Sequence, residues 1–264
     1  MSPSDNRPRK QPVAGVEISA TSYGEVVECC RRWVEERRSG AGAPSAHYIC
    51  VTSVHGIVTA RDDRNVRSIL NEADIATPDG MPLVWALRSF GIKNQQRVYG
   101  PNLMLRLCES AARHGHGIYL YGGREEMMEE LCRRLRDKCP GLRVAGCHAP
   151  PFRPLTDEED AKIVSEISAS GADLVFVGIS TPKQERWMYA HREQFPGMVM
   201  IGVGAAFDFH AGRVRQAPAW MQRSGLEWFF RLMMEPARLW RRYLLVTPRF
   251  LPLWAMQLLW RRAF

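Results

Sequence analysis

A doubly wound α/β fold with a helical C-terminal appendage is predicted by three features of this 264-residue chain. Short apolar, β-branched runs alternate with helical patterns of about 10 to 15 residues, as parallel βαβ units require. Three of those runs end in small, glycine-rich turns. From Ala211 to Phe264 the character changes: ten arginines stand against two acids, Glu227 and Glu235, which accounts for the whole net charge of +8. The other 210 residues carry 26 basic and 26 acidic side chains. A neutral, Rossmann-like body with a mostly parallel sheet therefore carries a basic tail. That tail also holds five of the eight tryptophans, Trp220, Trp228, Trp240, Trp254 and Trp260.

Residues 1–12 are polar and proline-containing, lack the apolar core of a signal peptide, and read as a flexible tail. Ser22 to Arg38 reads as helix, with Val26, Val27, Cys30, Trp33 and Val34 roughly on one face. His47 to Val54 reads as a buried strand, His55 to Asn71 as one helix, and Ala73 to Thr77 as a strand stopped by Pro78-Asp79-Gly80. Helix is expected over Pro82 to Phe90 and over Asn102 to Arg113, the latter stopped by Gly115. Strands are then expected at Gly117–Tyr121, Leu142–Gly146, Asp173–Val177 and Met198–Val203. Helices alternate with them, from Gly123 to about Lys138, Asp157 to Ser170 and Lys183 to Phe195. In the tail, Ser224-Gly-Leu-Glu227 has the spacing of a capping box. Pro236 opens a further helix with Leu239, Tyr243 and Val246 on one face and Arg238, Arg241 and Arg242 largely on the other. The expected division is a tail at 1–12, an α/β catalytic domain at 13–222 and a docking appendage at 223–264.

Seven scattered cysteines, an odd number without a CxxC, indicate neither a disulfide framework nor a zinc site, and suit a reducing cytosol. The apolar stretch Phe250–Trp260 is interrupted by Pro252 and is far short of the roughly 20 residues of a spanning helix. Arginine interleaved with tryptophan suits an anionic membrane surface. It also suits nucleic acid, and a helical hairpin packed on the body's own core is the plain structural alternative. Self-association through the tail's apolar residues stays open beside lipid.

The three glycine turns are Tyr119–Gly123, Val175–Pro182 and Ile201–Ala206. Ligands of open parallel sheets bind beyond the carboxyl ends of the strands, where glycine admits a phosphate to backbone N–H groups. Together the turns point to a nucleotide or sugar-nucleotide site. Gly202-Val-Gly204 lacks the third glycine and the later acid of a dinucleotide fingerprint, which disfavours a nicotinamide enzyme. Asp79, just past a strand, stands where a general base belongs, although Pro-Asp-Gly is equally ordinary turn chemistry. Gln184 at the start of a helix is a ligand candidate or simply helix initiation. The DxD pair of many nucleotide-sugar enzymes is missing, and the histidines show no ligand spacing, so no metal site is expected.

Several segments in this order resemble the WecG/TagA/CpsF family of bacterial glycosyltransferases. They are Ala73–Trp85, Arg97–Pro101, Tyr119–Gly123, Pro182–Trp187, Gly202–Asp208, Gly225–Trp228 and Glu235–Tyr243. The resemblance implies transfer of a sugar from a UDP-sugar to a polyprenyl-diphosphate-linked saccharide, inverting, metal-independent and without a cofactor. It implies Asp79 as catalytic base, and Arg238 and Arg241 as catalytic cations, with Arg231 and Arg242, on the leaving diphosphate. The resemblance further implies substrate contacts at Thr52 and Ser53, in the stretch Val51–His55 at the end of the first strand, and at Thr77, Gly80, Arg97, Gly122, Gly123, Gln184, Glu185, Gly202, Gly204 and Asp208. Ser53 stands where many members carry asparagine. A cytoplasmic protein attached peripherally to the inner face of the membrane, with no nucleic-acid partner, is the expectation. The rival is a non-enzymatic nucleotide- or nucleic-acid-binding module.

Overall fold

The computed structural model describes residues 7–263, with side chains through residue 260. Two short strands, β1 (Lys10–Val13) and β2 (Val16–Ser19), form an antiparallel hairpin. Its turn, Ala14-Gly15, takes left-handed φ values of 49° and 88°, as tight hairpins require. The expected flexible tail is thereby corrected for residues 10–12, because their backbone is paired; residues 1–6 lie outside the described residues.

Helix α1 (Tyr23–Arg38) starts at a capping box formed by Ser22 and Glu25. It leads into β3 (His47–Thr52). The single helix expected over 55–71 is two, α2 (Val54–Asp62) and α3 (Arg64–Glu72). Asp63 leaves the helical backbone and its carboxylate accepts from the N–H groups of Asn65 and Val66 at 2.9 and 3.1 Å, capping α3. Then follow β4 (Ile75–Pro78), α4 (Met81–Ser89), α5 (Gly100–His114), β5 (Gly117–Gly122), α6 (Glu125–Lys138) and β6 (Arg143–His148). Next come α7 (Asp157–Ala169), β7 (Leu174–Gly178), α8 (Lys183–His191), β8 (Val199–Gly202) and the short α9 (Ala206–His210).

Strands β3 to β8 make one sheet in the order β4-β3-β8-β7-β5-β6, with every neighbouring pair parallel. Its central strands are buried on both faces, which is why they read as unbroken apolar runs. Alternate residues serve two cores. Tyr48, Cys50, Tyr121 and Val175 join the core beneath α2, α3, α4, α7 and α8. Ile49, Val51, Leu120 and Phe176 join the one beneath α1, α5, α6 and α9. Helices following adjacent strands thus leave on opposite faces: α6 after β5, α8 after β7, α9 after β8 and α2 after β3. Such switch points open a crevice at the carboxyl edge of the sheet.

The appendage comprises α10 (Ala219–Arg223), α11 (Glu227–Met234), α12 (Pro236–Trp240), a π-helical turn at Arg241–Val246 and α13 (Phe250–Ala263). The capping box expected at Ser224 does not form. The Ser224 hydroxyl donates to the Met221 carbonyl, and the Glu227 carboxylate is taken by Arg97 at 2.6 Å. Phe250 enters the first core, and Arg249 pairs with Asp62 at 2.6 and 2.8 Å. The Gln257 amide holds the hairpin turn from both sides, accepting from Ala14 N–H and donating to Pro12 O, each at 2.8 Å.

Candidate active site

A continuous cleft follows the carboxyl edge of the sheet, roofed by the appendage. It has three chambers, of about 120, 340 and 740 Å³. Ser53, His55, Asp79, Tyr99, Arg231 and Arg242 line both smaller chambers. Ser180 and Arg238 join the middle chamber to the largest.

Asp79 follows β4 directly and is fixed by its main chain, whose N–H donates to Thr52 O at 2.8 Å. Gly80 lets the chain turn away into α4 with φ 119°. Arg97 donates to one Asp79 oxygen, Oδ1, from Nη2 at 2.9 Å and from Nε at 3.2 Å. Its remaining arm, Nη1, reaches Glu227 Oε2 at 2.6 Å, and the guanidinium lies 4.2 Å over the Tyr99 ring. Burial raises the Asp79 carboxyl above its ordinary range, the nearby Glu227 charge adds to that, and Arg97 opposes it. A carboxylate so held is a stronger base than one in water.

Opposite Asp79, the appendage turns two guanidiniums inward. Arg242 donates to Ser53 Oγ at 3.3 Å, has no carboxylate partner among the described residues, and leaves a buried Nε unpartnered. Burial makes its guanidinium easier to deprotonate than usual. Arg231 is also mostly buried, with an unpartnered Nε and Glu235 only at 4.0 Å. Burying cations without counter-ions is costly, and an anion in the cleft offsets that cost. Arg238 lines the two larger chambers, paired with Glu235 at 2.6 Å. Arg241 does not reach the cleft: it is exposed, 5.3 Å over the Trp240 ring. The sequence pattern groups Arg241 and Arg242 on one polar face; at about 100° per residue Arg242 instead flanks the side of buried Leu239 and points in, while Arg241 falls on the far side and points out.

The glycines divide into two roles. Gly123 lines the largest chamber and Gly204 the middle one. Gly122 and Gly202 serve packing: a Cβ on Gly122 would come within 2.6 Å of the Gly178 carbonyl, and one on Gly202 within 2.8 Å of Met188. Gln184 lines the middle chamber and accepts from Gly204 N–H at 3.0 Å. Glu185, offered by the sequence as a substrate contact, is buried beneath it. There it accepts from Gln184 Nε2 at 3.1 Å and Thr181 Oγ1 at 2.8 Å, and burial raises its carboxyl. Thr52 and Thr77 are likewise buried outside the chamber walls. Asp208 lines the largest chamber, raised by burial against the pull of Arg238. Cationic Arg124, Lys183, Arg186 and Arg213 share that wall with the rings of Tyr121 and Trp187. The chamber thereby offers an aromatic face and positive charge together.

Sequence reasoning missed His55, Tyr99 and Glu227. Burial, with Arg242 beside it, lowers His55 to about 4, so it is neutral near pH 7, with Nδ1 unpartnered. Its only sequence signal was its place two residues after Ser53. Among the described residues no three His, Cys, Asp or Glu side chains converge where a metal ion could be held.

Of the fifteen exposed large apolar side chains among the described residues, thirteen fall between Trp220 and Trp260. Arg213, Arg215, Arg223, Arg238, Arg241 and Arg249 are exposed in the same part of the chain. Among the described residues no helix is long and apolar enough to cross a membrane.

Residues 11–264 match the model of the family described as the Glycosyl transferase WecG/TagA/CpsF family. An N-acetylglucosaminyldiphosphoundecaprenol N-acetyl-beta-D-mannosaminyltransferase of Bacillus spizizenii strain W23 is 31% identical over 185 residues, covering 70% of each chain. The protein of the same description from Bacillus subtilis strain 168 is 30% identical over 182 residues, 69% of each chain.

Proposed function

Because the chain belongs to the WecG/TagA/CpsF family of glycosyltransferases, we propose a specific transfer for it. The sugar is an N-acetylhexosamine such as N-acetylmannosamine, or a related hexose. It moves from a UDP-sugar to a polyprenyl-diphosphate-linked saccharide, with inversion and without a metal ion. The observation that carries this is the juxtaposition, around one chamber, of the basic Asp79 carboxylate with the inward-facing Arg231 and Arg242. Asp79 takes the proton of the acceptor hydroxyl as that oxygen attacks the anomeric carbon. The bond to the β-phosphate breaks on the opposite face, and UDP leaves with the electron pair. Arg231, Arg238 and Arg242 meet the charge that develops on the diphosphate, the role a metal ion fills in other transferases. The largest chamber suits the uridine, its rings facing the base and its cations the phosphates.

The test is UDP release in EDTA from a panel of UDP-sugars, with and without polyprenyl-diphosphate-N-acetylglucosamine. Acceptor-dependent release from one donor is expected. Release that requires a divalent cation would overturn the arginine-based mechanism.

The exposed apolar and basic surface of the appendage supports peripheral attachment to the inner, anionic face of the cell membrane, where the lipid-linked acceptor lies. Each arginine at such a surface contributes about 1 kcal/mol, and Arg215, Arg223 and Arg241, exposed and outside the cleft walls, add to the exposed apolar side chains there. Sedimentation with phosphatidylglycerol vesicles should fall about tenfold in a Leu251→Glu, Leu259→Glu variant, since both side chains are exposed on α13. Equal sedimentation would remove α13 from the docking surface.

A further inference from the structure

We infer that Glu227 is a positioning residue through which the appendage arms Asp79: it holds one arm of Arg97 and so leaves the second Asp79 oxygen free for the acceptor hydroxyl. This rests on the assignment of Asp79 as base. Arg97 sits between two carboxylates, and the one on α11 is 130 residues away in sequence. Its Nε and Nη2 both go to Oδ1 of Asp79, at 3.2 and 2.9 Å, while Nη1 is held by Glu227 at 2.6 Å. An unrestrained guanidinium prefers to take a carboxylate by both oxygens at once. Released from Glu227, Arg97 is free to turn squarely onto Asp79, which would occupy both oxygens and quench the base.

The charges around Asp79 point the same way. Arg97, Arg231 and Arg242 are cationic and lower its proton affinity. His55 of α2 is neutral, and Tyr23 of α1 and Tyr99 beside Arg97 are uncharged near pH 7, raised by burial. Glu227 supplies the negative charge that keeps Asp79 basic. Because Glu227 belongs to the appendage, docking of α11 and readiness of the base become one event.

The experiment is a ¹³C-carboxyl NMR titration of aspartate-labelled full-length protein, with the Asp79 signal assigned through Asp79→Asn. In Glu227→Gln the Asp79 midpoint should fall by about one pH unit, and Glu227→Asp, which keeps the charge, should restore it. In turnover, the acid limb of kcat should move down by the same amount and kcat near pH 7 should drop about tenfold. UDP binding by calorimetry should be unchanged. An unmoved Asp79 titration in Glu227→Gln overturns the inference, as does a kcat lowered by one factor at every pH. A shifted titration in a chain that releases UDP from no donor would support the coupling and overturn the reaction assigned to Asp79.

Discussion

Asp79→Asn is expected to lower kcat by about 10²- to 10⁴-fold, the range a general base supplies, while UDP affinity stays unchanged. The amide keeps the shape of the side chain and a hydrogen-bonding oxygen for Arg97, but cannot accept the acceptor's proton. Calorimetry with UDP and single-turnover kinetics read the two effects separately. The pH dependence follows from the same environment. Burial raises the Asp79 carboxyl, and catalysis requires the carboxylate, so turnover is full above the raised value and falls as pH drops through it. The acid limb should therefore lie above the ordinary aspartate range and vanish in Asp79→Asn. A variant with wild-type turnover would remove Asp79 as base.

Arg242→Ala should cost about 10²- to 10³-fold in kcat, as loss of one preorganised donor to a developing charge does elsewhere. Arg242 is half-buried, with its Nε shut off from solvent, bonded to Ser53 at 3.3 Å and without a carboxylate ion pair among the described residues, so its charge is available to a diphosphate. Its neighbour is the control. Arg241→Ala removes an exposed guanidinium lying against Trp240 and should lose much less turnover. Equal losses in the two variants would refute the placement of Arg242 in the cleft and Arg241 outside it. Arg242→Lys should recover only part of the activity, because an ammonium lacks the planar fork.

Much of the fold could be read from sequence because parallel strands buried on both faces must be apolar throughout. His47–Thr52 and Leu174–Gly178 needed no partner to be recognised. The glycine turns and Asp79 were legible as the ends of those strands, but not what each does there: Gly123 and Gly204 line the cleft, whereas Gly122 and Gly202 serve packing. The hairpin β1-β2 was not legible. Its strands are four residues each and mixed in polarity, and the Ala14-Gly15 turn lacks the usual Asn-Gly or Asp-Gly. Nor was the division of one helix into α2 and α3, since Asp63 is a routine helix-surface residue until its side chain turns back on the backbone.

The appendage separates the two kinds of knowledge most clearly. Its charge, its tryptophans and its helix-breaking prolines are local properties, and the sequence by itself determined a basic, aromatic helical tail on an α/β body with Asp79 just past a strand. Which arginine enters the cleft is not local. It depends on which side of the helix is laid against the body: burial of Leu239 there brings Arg242, its neighbour around the helix, into the cleft. Likewise Glu227 looked like half of a capping box, and became the partner of Arg97 only when α11 was brought against the body. Spacing within one element specifies which side chains share a face. Burial against another element decides which of them lose water, and therefore which charges must find each other.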